Sequence, residues 1–139
     1  IHVGGLWLKY LLDTHVWIWW HAHPKALSKK VRALIADTTQ YDELLLSAIS
    51  PWEFCKLIEK GRLGISCATE DWINSALEMP KFRIVPLSPR IAYASTVLPQ
   101  PFHSDPADQI IVASAREEQA VILTKDDRIR SYKGAKSIW

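Results

Sequence analysis

The stretch Lys9-Tyr10-Leu11-Leu12-Asp13-Thr14-His15-Val16-Trp17-Ile18-Trp19-Trp20 decides the fold. Its first four residues make a short apolar run that ends in Asp13, the pattern of a buried strand followed by a turn. Thr14 to Trp20 then reads as a helix, stopped before Pro24. The same order recurs downstream. Leu44-Leu45-Leu46 is a second buried strand, and Ser50-Pro51-Trp52-Glu53 opens a helix that runs to about Lys60 and stops at Gly61. Phe82-Arg83-Ile84-Val85 is a short strand closed by Pro86, with a helix over Ser88–Leu98. Asp105 to Gln119 is the longest helix, with Ile110, Ile111, Ala113 and Ala115 as its packing face. Ala120–Thr124 is the fourth strand, and Ile138-Trp139 ends a fifth, short edge strand. Two further helices fall between these units. One carries Leu27, Val31, Leu34 and Ile35 at helical spacing with Ser28 near its start, and the other spans Thr69–Glu78 with Thr69 as cap. Strands that alternate with helices, and that lack polar alternation, predict an α/β protein. The expected architecture is a three-layer α/β/α sandwich around a parallel sheet of four to five strands.

Composition agrees. The chain has 139 residues, 48% hydrophobic and 23% charged, which suits one soluble domain that folds without disulfides or structural metal. Cys55 and Cys67 have neither metal-ligand nor framework spacing and read as small apolar residues of a reducing compartment. No apolar run approaches the roughly 20 residues that span a membrane. Residues 1–8 lack the pattern of a signal peptide and read as a loose lead-in, native or appended, to a single domain over 9–139. A cytoplasmic protein is expected.

Four acids occupy the strand-to-helix junctions: Asp13, Glu53, Asp108 and Asp126. In an open parallel sheet all four would gather beyond the carboxyl ends of the strands, where ligands bind. Carboxylates brought together repel unless a cation lies among them. Oxygen donors without histidine or cysteine favour a hard cation such as Mg²⁺ over zinc. Neutralising four acids would leave the rest of the surface distinctly basic, since the chain already carries net charge +2. Basic residues cluster after Thr124, where Lys125, Arg128 and Arg130 are candidates for phosphate contacts. A basic rim around an acidic centre suits a polyanionic substrate.

Each acid has a local alternative as a helix cap. Ser50-Pro51-Trp52-Glu53 reads as a capping box with Ser50 at the N-cap, and Asp105-Pro106-Ala107-Asp108 has the same form. Asp13 and Asp126 could be N-caps. Joint occurrence on one edge favours the metal. Asp105 is assigned to the cap and Asp108, one turn further, to the metal. Asp127 is expected to point away.

The segments Tyr10-Leu11-Leu12-Asp13-Thr14-His15, Leu46-Ser47-Ala48-Ile49-Ser50-Pro51-Trp52-Glu53, Asp105-Pro106-Ala107-Asp108-Gln109 and Ile122-Leu123-Thr124-Lys125-Asp126 together resemble the PIN-domain ribonucleases, and specifically the VapC toxins of toxin–antitoxin pairs. The likeness extends through Lys60-Gly61-Arg62-Leu63 and the closing Ile138-Trp139. It implies a Mg²⁺- or Mn²⁺-dependent endoribonuclease with Asp13, Glu53, Asp108 and Asp126 as its acidic quartet. It further implies that Thr14 and Thr124 support the acids, that the protein is a homodimer, and that a VapB-type antitoxin is its partner. Many members of that family carry arginine where this chain has Gln109.

Two rivals are weaker. An aspartyl-phosphate phosphotransferase of the haloacid-dehalogenase kind would need an acid two residues beyond Asp13, where His15 stands. A degenerate protein-binding module of the same fold would not need a complete quartet. Most tryptophans are expected in the core, but Trp19 and Trp20 point about 100° apart on a helix, so one of them is expected at a dimer or antitoxin contact. His15, His21, His23 and His103 read as surface or capping residues, with His103 near the site.

Overall fold

The computed structural model describes residues 2–3 and 6–139. Of the lead-in 1–8, residues 1, 4 and 5 lie outside the described residues. His2–Val3 (β1) pairs antiparallel with Leu6–Trp7 (β2), and the Leu8 N–H donates to Asp42 Oδ2 at 2.7 Å.

The elements then alternate as the apolar patterning requires. Strand β3 (Lys9–Leu12) leads into α1 (Thr14–Ala22), a short 3₁₀ turn at Pro24–Ala26 and α2 (Lys29–Ala36). Strand β4 (Glu43–Ser47) leads into α3 (Ile49–Glu59) and α4 (Thr69–Ala76). Strand β5 (Phe82–Val85) leads into α5 (Pro89–Thr96) and α6 (Pro106–Glu118). Strand β6 (Val121–Leu123), the one-turn helix α7 (Asp127–Arg130) and β7 (Ser137–Ile138) complete the chain. The sheet is parallel throughout, in the order β5-β4-β3-β6-β7.

Side chains alternate across the pleat and so divide the core in two. Tyr10, Leu12, Leu44, Leu46 and Leu123 pack with Val16, Trp17, Val31, Ile35, Phe54 and Ala76 from α1–α4. Leu11, Leu45, Val85 and Ile122 pack with Ile91, Ile111, Val112, Ala115 and Ile129 from α5–α7. Two apolar cores on opposite faces of one sheet make the expected three layers. An aromatic group closes the first core: Phe54 stacks on Trp72 at 4.1 Å, and Trp17 meets both edge-on. The buried Trp17 indole N–H donates to Ala76 O at 3.0 Å. That bond spares the core an unpaired donor.

Ser28, near the start of α2 as expected, caps it by accepting from the Val31 N–H. Thr69 instead is the first residue of α4, and Ala68 is its N-cap. Gly61 ends α3 with φ +69°, a conformation that costs an L residue energy but not glycine. The turn is a Schellman motif. The Arg62 N–H donates to Leu57 O at 2.9 Å and the Gly61 N–H to Ile58 O at 3.0 Å.

Candidate active site

Strand order places the site. The five-stranded sheet starts in its centre at β3, adds β4 and β5 on one side, then lays β6 against the other side of β3. The reversal between β3 and β6 is where open α/β sheets bind ligands. Leu12 pairs with Leu123 in register, and the Asp13 N–H donates to Leu123 O at 3.0 Å. The ladder therefore runs up to the acid itself. Thr124, one step past β6, donates its hydroxyl to Asp13 Oδ2 at 2.6 Å and accepts from the Asp126 N–H at 3.0 Å. Asp13 Oδ1 takes the Thr14 N–H at 2.8 Å. Both oxygens of Asp13 are held, and one buried threonine couples it to Asp126.

Glu53 arrives by a different route from the one expected. The capping box at Ser50 does not form. Pairing of Ala48 N–H with Val85 O at 2.9 Å carries the sheet to the edge of α3, so the helix begins at Ile49 with Ala48 as N-cap. Ser47 Oγ accepts from the Ile49 N–H in place of a cap side chain. Ser50 then lies inside the first turn, fully buried, with its hydroxyl 2.8 Å from Thr14 Oγ1. Thr14 donates its single hydroxyl proton to Glu53 Oε1 at 2.5 Å, so Ser50 is the donor to Thr14. Ser50, Thr14 and Glu53 form a chain of hydroxyls ending on a carboxylate.

On α6 the pattern is as expected. Asp105 caps the helix by accepting from the Asp108 N–H at 3.0 Å. Asp108 Oδ2 stands 3.0 Å from His103 Nε2, without the alignment of a hydrogen bond, and 3.7 Å from Arg128 Nη2. The same guanidinium is 3.6 Å from Asp126 Oδ2. Asp126 also caps α7, accepting from the Arg128 and Ile129 N–H groups. Capping and clustering are thus not alternatives here. Asp13 and Asp126 do both.

The electrostatic outcome is a field that resists ionisation. Burial pushes the Asp13 carboxyl up, opposed by the Thr124 and Thr14 hydrogen bonds and reinforced by Asp126. Burial also raises Glu53, opposed by the Thr14 hydroxyl and reinforced by Asp13 and Asp105. Asp108 is pushed up to about 7, by burial first and then by Asp13, Asp105, Asp126 and Glu53. Burial first and mutual repulsion second raise all three, the pattern of a desolvated acidic cluster at a candidate functional site.

Among the described residues, no three Asp, Glu, His or Cys side chains are grouped so as to hold one ion. The hydrogen bonds explain this. Asp13 and Glu53 are turned onto hydroxyls and an amide, while Asp108 and Asp126 face Arg128. The donor set nonetheless fits a hard divalent cation. It is all carboxylate, and one or two carboxylates can anchor Mg²⁺ when water completes its shell.

Other expected residues divide. Lys125 lines the cleft with Asp13, His15 and Asp126, and Arg128 touches the acids directly. Arg130 lies elsewhere, beside Asp127 and near Trp139; Asp127, expected to point away, has a solvent-exposed side chain but still lines the cleft with Asp13 and Asp126. Ser50 is a neighbour of the acids that patterning read only as a cap, and His103, expected near the site, stands beside Asp108. Ser50 resembles a cap in sequence, and only the early start of α3 reveals it. His103 ends a proline-rich loop that Gln109 holds, its amide donating to His103 O at 3.1 Å. The residue standing where arginine is common in the family therefore braces the loop that brings His103 to Asp108.

Residues 10–135 match the PIN-domain family model. The chain is 37% identical to ribonuclease VapC22 of Mycobacterium tuberculosis over 123 residues, 88% of this chain and 91% of that protein. Its fold is similar to chains in the DNA-bound VapBC structure of Salmonella typhimurium (TM-score 0.65, 18% identity, 94% of this chain and 97% of that one). It is also similar to FitAcB of Neisseria gonorrhoeae (TM-score 0.64, 21% identity, 94% and 96%). Those structural likenesses speak for the fold. The family match over residues 10–135 and the 37% identity to VapC22 place this chain in the PIN-domain family, among its VapC-type members.

Proposed function

We propose that this chain is a divalent-metal-dependent endoribonuclease, a single nuclease domain over residues 9–139, acting in the cytoplasm as the toxin of a toxin–antitoxin pair. The observation that carries the reading is Asp108. Burial first, and then repulsion from Asp13, Asp105, Asp126 and Glu53, push its carboxyl up to about 7. A fold gains nothing from that repulsion, and a bound cation relieves it. Bound there, Mg²⁺ or Mn²⁺ would supply an activated water and neutralise charge on the phosphodiester under attack.

The chain's own residues hold that arrangement. Thr124 and the Thr14 amide hold both oxygens of Asp13 at the carboxyl end of the central strand, beside the other acids. The Ser50–Thr14 pair fixes Glu53 at the other wall. Asp108 and Asp126 share the guanidinium of Arg128, which sits where a phosphate could replace one of its carboxylate partners.

Likeness to VapC22 and to VapBC assemblies supports a VapB-type antitoxin as partner. Tyr93 on α5 and Val97 at its C-cap, both largely exposed, provide an apolar surface suited to a homodimer.

Purified protein should cleave a structured RNA with Mg²⁺ and not with chelator. Asp13→Asn and Asp108→Asn should each lose about a hundredfold or more in rate, a magnitude typical of removing one electrostatic group from a reacting centre. In chelator, Asp108→Asn should melt higher than the parent, because one of the repelling charges is gone. Undiminished cleavage by both variants would refute the assignment. Absence of any Mg²⁺-dependent rise in melting temperature would favour the non-catalytic module instead.

A further inference from the structure

Beside the acids lies a second feature that neither the quartet nor its hydroxyls account for. A cleft of about 410 Å³ runs from Thr14, Glu53 and Asp105 along α3 to Lys60 and Arg62. Trp52, Lys56 and Lys60 follow one another at four-residue spacing, so they form one stripe on the same side of the helix. Trp52 is the surprising member. It is 53% exposed, whereas Trp17 is fully buried. An indole left in water beside the site, when the core has room for other tryptophans, is a surface rather than packing.

The cations around it are placed by backbone chemistry. The Schellman turn at Gly61 reverses the chain and returns Arg62 alongside Leu57, on the wall of the cleft. Neither Lys60 nor Arg62 has an ion-pair partner among the described residues. Lys56 lies 5.8 Å from the Trp52 ring centroid and 3.1 Å from Glu59. The cleft is therefore polarised, with carboxylates at one end, an aromatic face in the middle and cations at the other.

We infer that this cleft is a binding track for single-stranded RNA, in which Trp52 stacks one base next to the scissile phosphate and Lys60 and Arg62 hold phosphates further along the strand. The inference rests on the nuclease reading above and extends it from the cleft of Lys125 to a neighbouring cleft, the two meeting at His15. An aromatic ring flanked by cations is the recurring arrangement for unpaired strands, because every base has a face to stack and every linkage a charge. A base paired within a helix could not reach the ring, so the track selects unpaired segments. Leu57, Pro106 and Ala107 also line the cleft, and it is the cations Lys56, Lys60 and Arg62 along the same wall as Trp52 that favour a polyanionic strand over a protein segment.

The test is binding, measured without cleavage. Anisotropy of a labelled twelve-nucleotide single-stranded RNA is followed in chelator with the full chain. Trp52→Ala should weaken affinity about tenfold or more, within the range found for one base on one ring, and Trp52→Phe should recover most of it. Lys60→Gln with Arg62→Gln should lower the slope of log affinity against log salt by about 1.4, from about 0.7 per phosphate contact in single strands. Arg130→Ala, remote from the cleft, should leave the affinity unchanged. Melting curves verify that each variant folds. Parent-like affinity in Trp52→Ala together with an unchanged salt slope in the double variant overturns the track. So does a result in which the variants lose only a protein partner from the same face. If the parent binds RNA with these sensitivities but never cleaves it with Mg²⁺, the track stands and the nuclease reading falls.

Discussion

Thr124 shows how much one side chain can decide. It is fully buried, and its hydroxyl serves two acids at once, donating to Asp13 and accepting from the Asp126 amide. Thr124→Val keeps the shape and removes both bonds. The Asp126 amide would lose its partner, and the Asp13 carboxylate would be free to turn. We expect a 10- to 100-fold loss of Mg²⁺ affinity or activity, the usual effect of removing a group that orients a metal ligand. Thr124→Ser should restore most of it. The checks are Mg²⁺ titration followed by melting temperature, and RNA cleavage. A purely structural role would lower the melting temperature in chelator without changing the Mg²⁺ response. At this scale local patterning exposed the acids and the family resemblance pointed to Thr14 and Thr124 beside them, while the part of Ser50 stayed hidden. Asp13, Glu53, Asp108 and Asp126 stand at junctions that local patterning exposes. That Ser50 serves Thr14 rather than capping α3 depends on where β4 stops, which is a property of the sheet.

At the scale of the element, α3 and the turn after it matter most. Gly61 holds φ +69°, and a Cβ there would meet nothing within 4 Å. The cost of Gly61→Ala is therefore backbone strain alone, about 1–2 kcal/mol for an L residue in the left-handed region. Gly64 has equally open surroundings and no positive φ, so Gly64→Ala should lie within about 0.5 kcal/mol of the parent. Urea denaturation of the two variants gives the comparison directly. Equal stabilities would show that the turn is not held as described. Strand and helix positions were legible because apolar runs and stop residues are local signals. The start of α3, the cap of α4 and the helix α7 were not, because each is set by hydrogen bonds to neighbouring elements.

For the whole molecule, acid sensitivity separates two regions of the fold. His21 packs edge-on against Trp72, and burial holds its imidazole below the usual histidine range. Its Nε2 is buried without a hydrogen-bond partner. The unfolded chain takes up a proton near pH 6.5 while the folded chain resists, so stability falls as pH drops below that value. His21→Phe should remove this loss, and the difference in melting temperature between parent and variant should widen from pH 7 to pH 5. Asp13, Glu53 and Asp108 titrate in the opposite sense, and comparison with the variant cancels them. At the other end of the strands, Arg83 binds Glu43 and Glu118 and holds both carboxyls below their ordinary values. Their contribution persists above the ordinary carboxylate range and is lost only below it, so it is a second, more acidic step. A pH-independent gap between parent and His21→Phe would contradict the burial of this ring. The sequence by itself determined the alternation of strands and helices, the parallel sheet and the placement of four acids at its junctions. Those follow from apolar patterning and turn residues acting over a few positions. Only the tertiary structure decided that β6 lies beside β3, that Thr124 reaches Asp13 across 111 residues, and that Trp52 rather than Trp19 or Trp20 is the most exposed of these indoles. Strand neighbours are chosen by the packing of two cores at once, a competition among distant segments that no local pattern records.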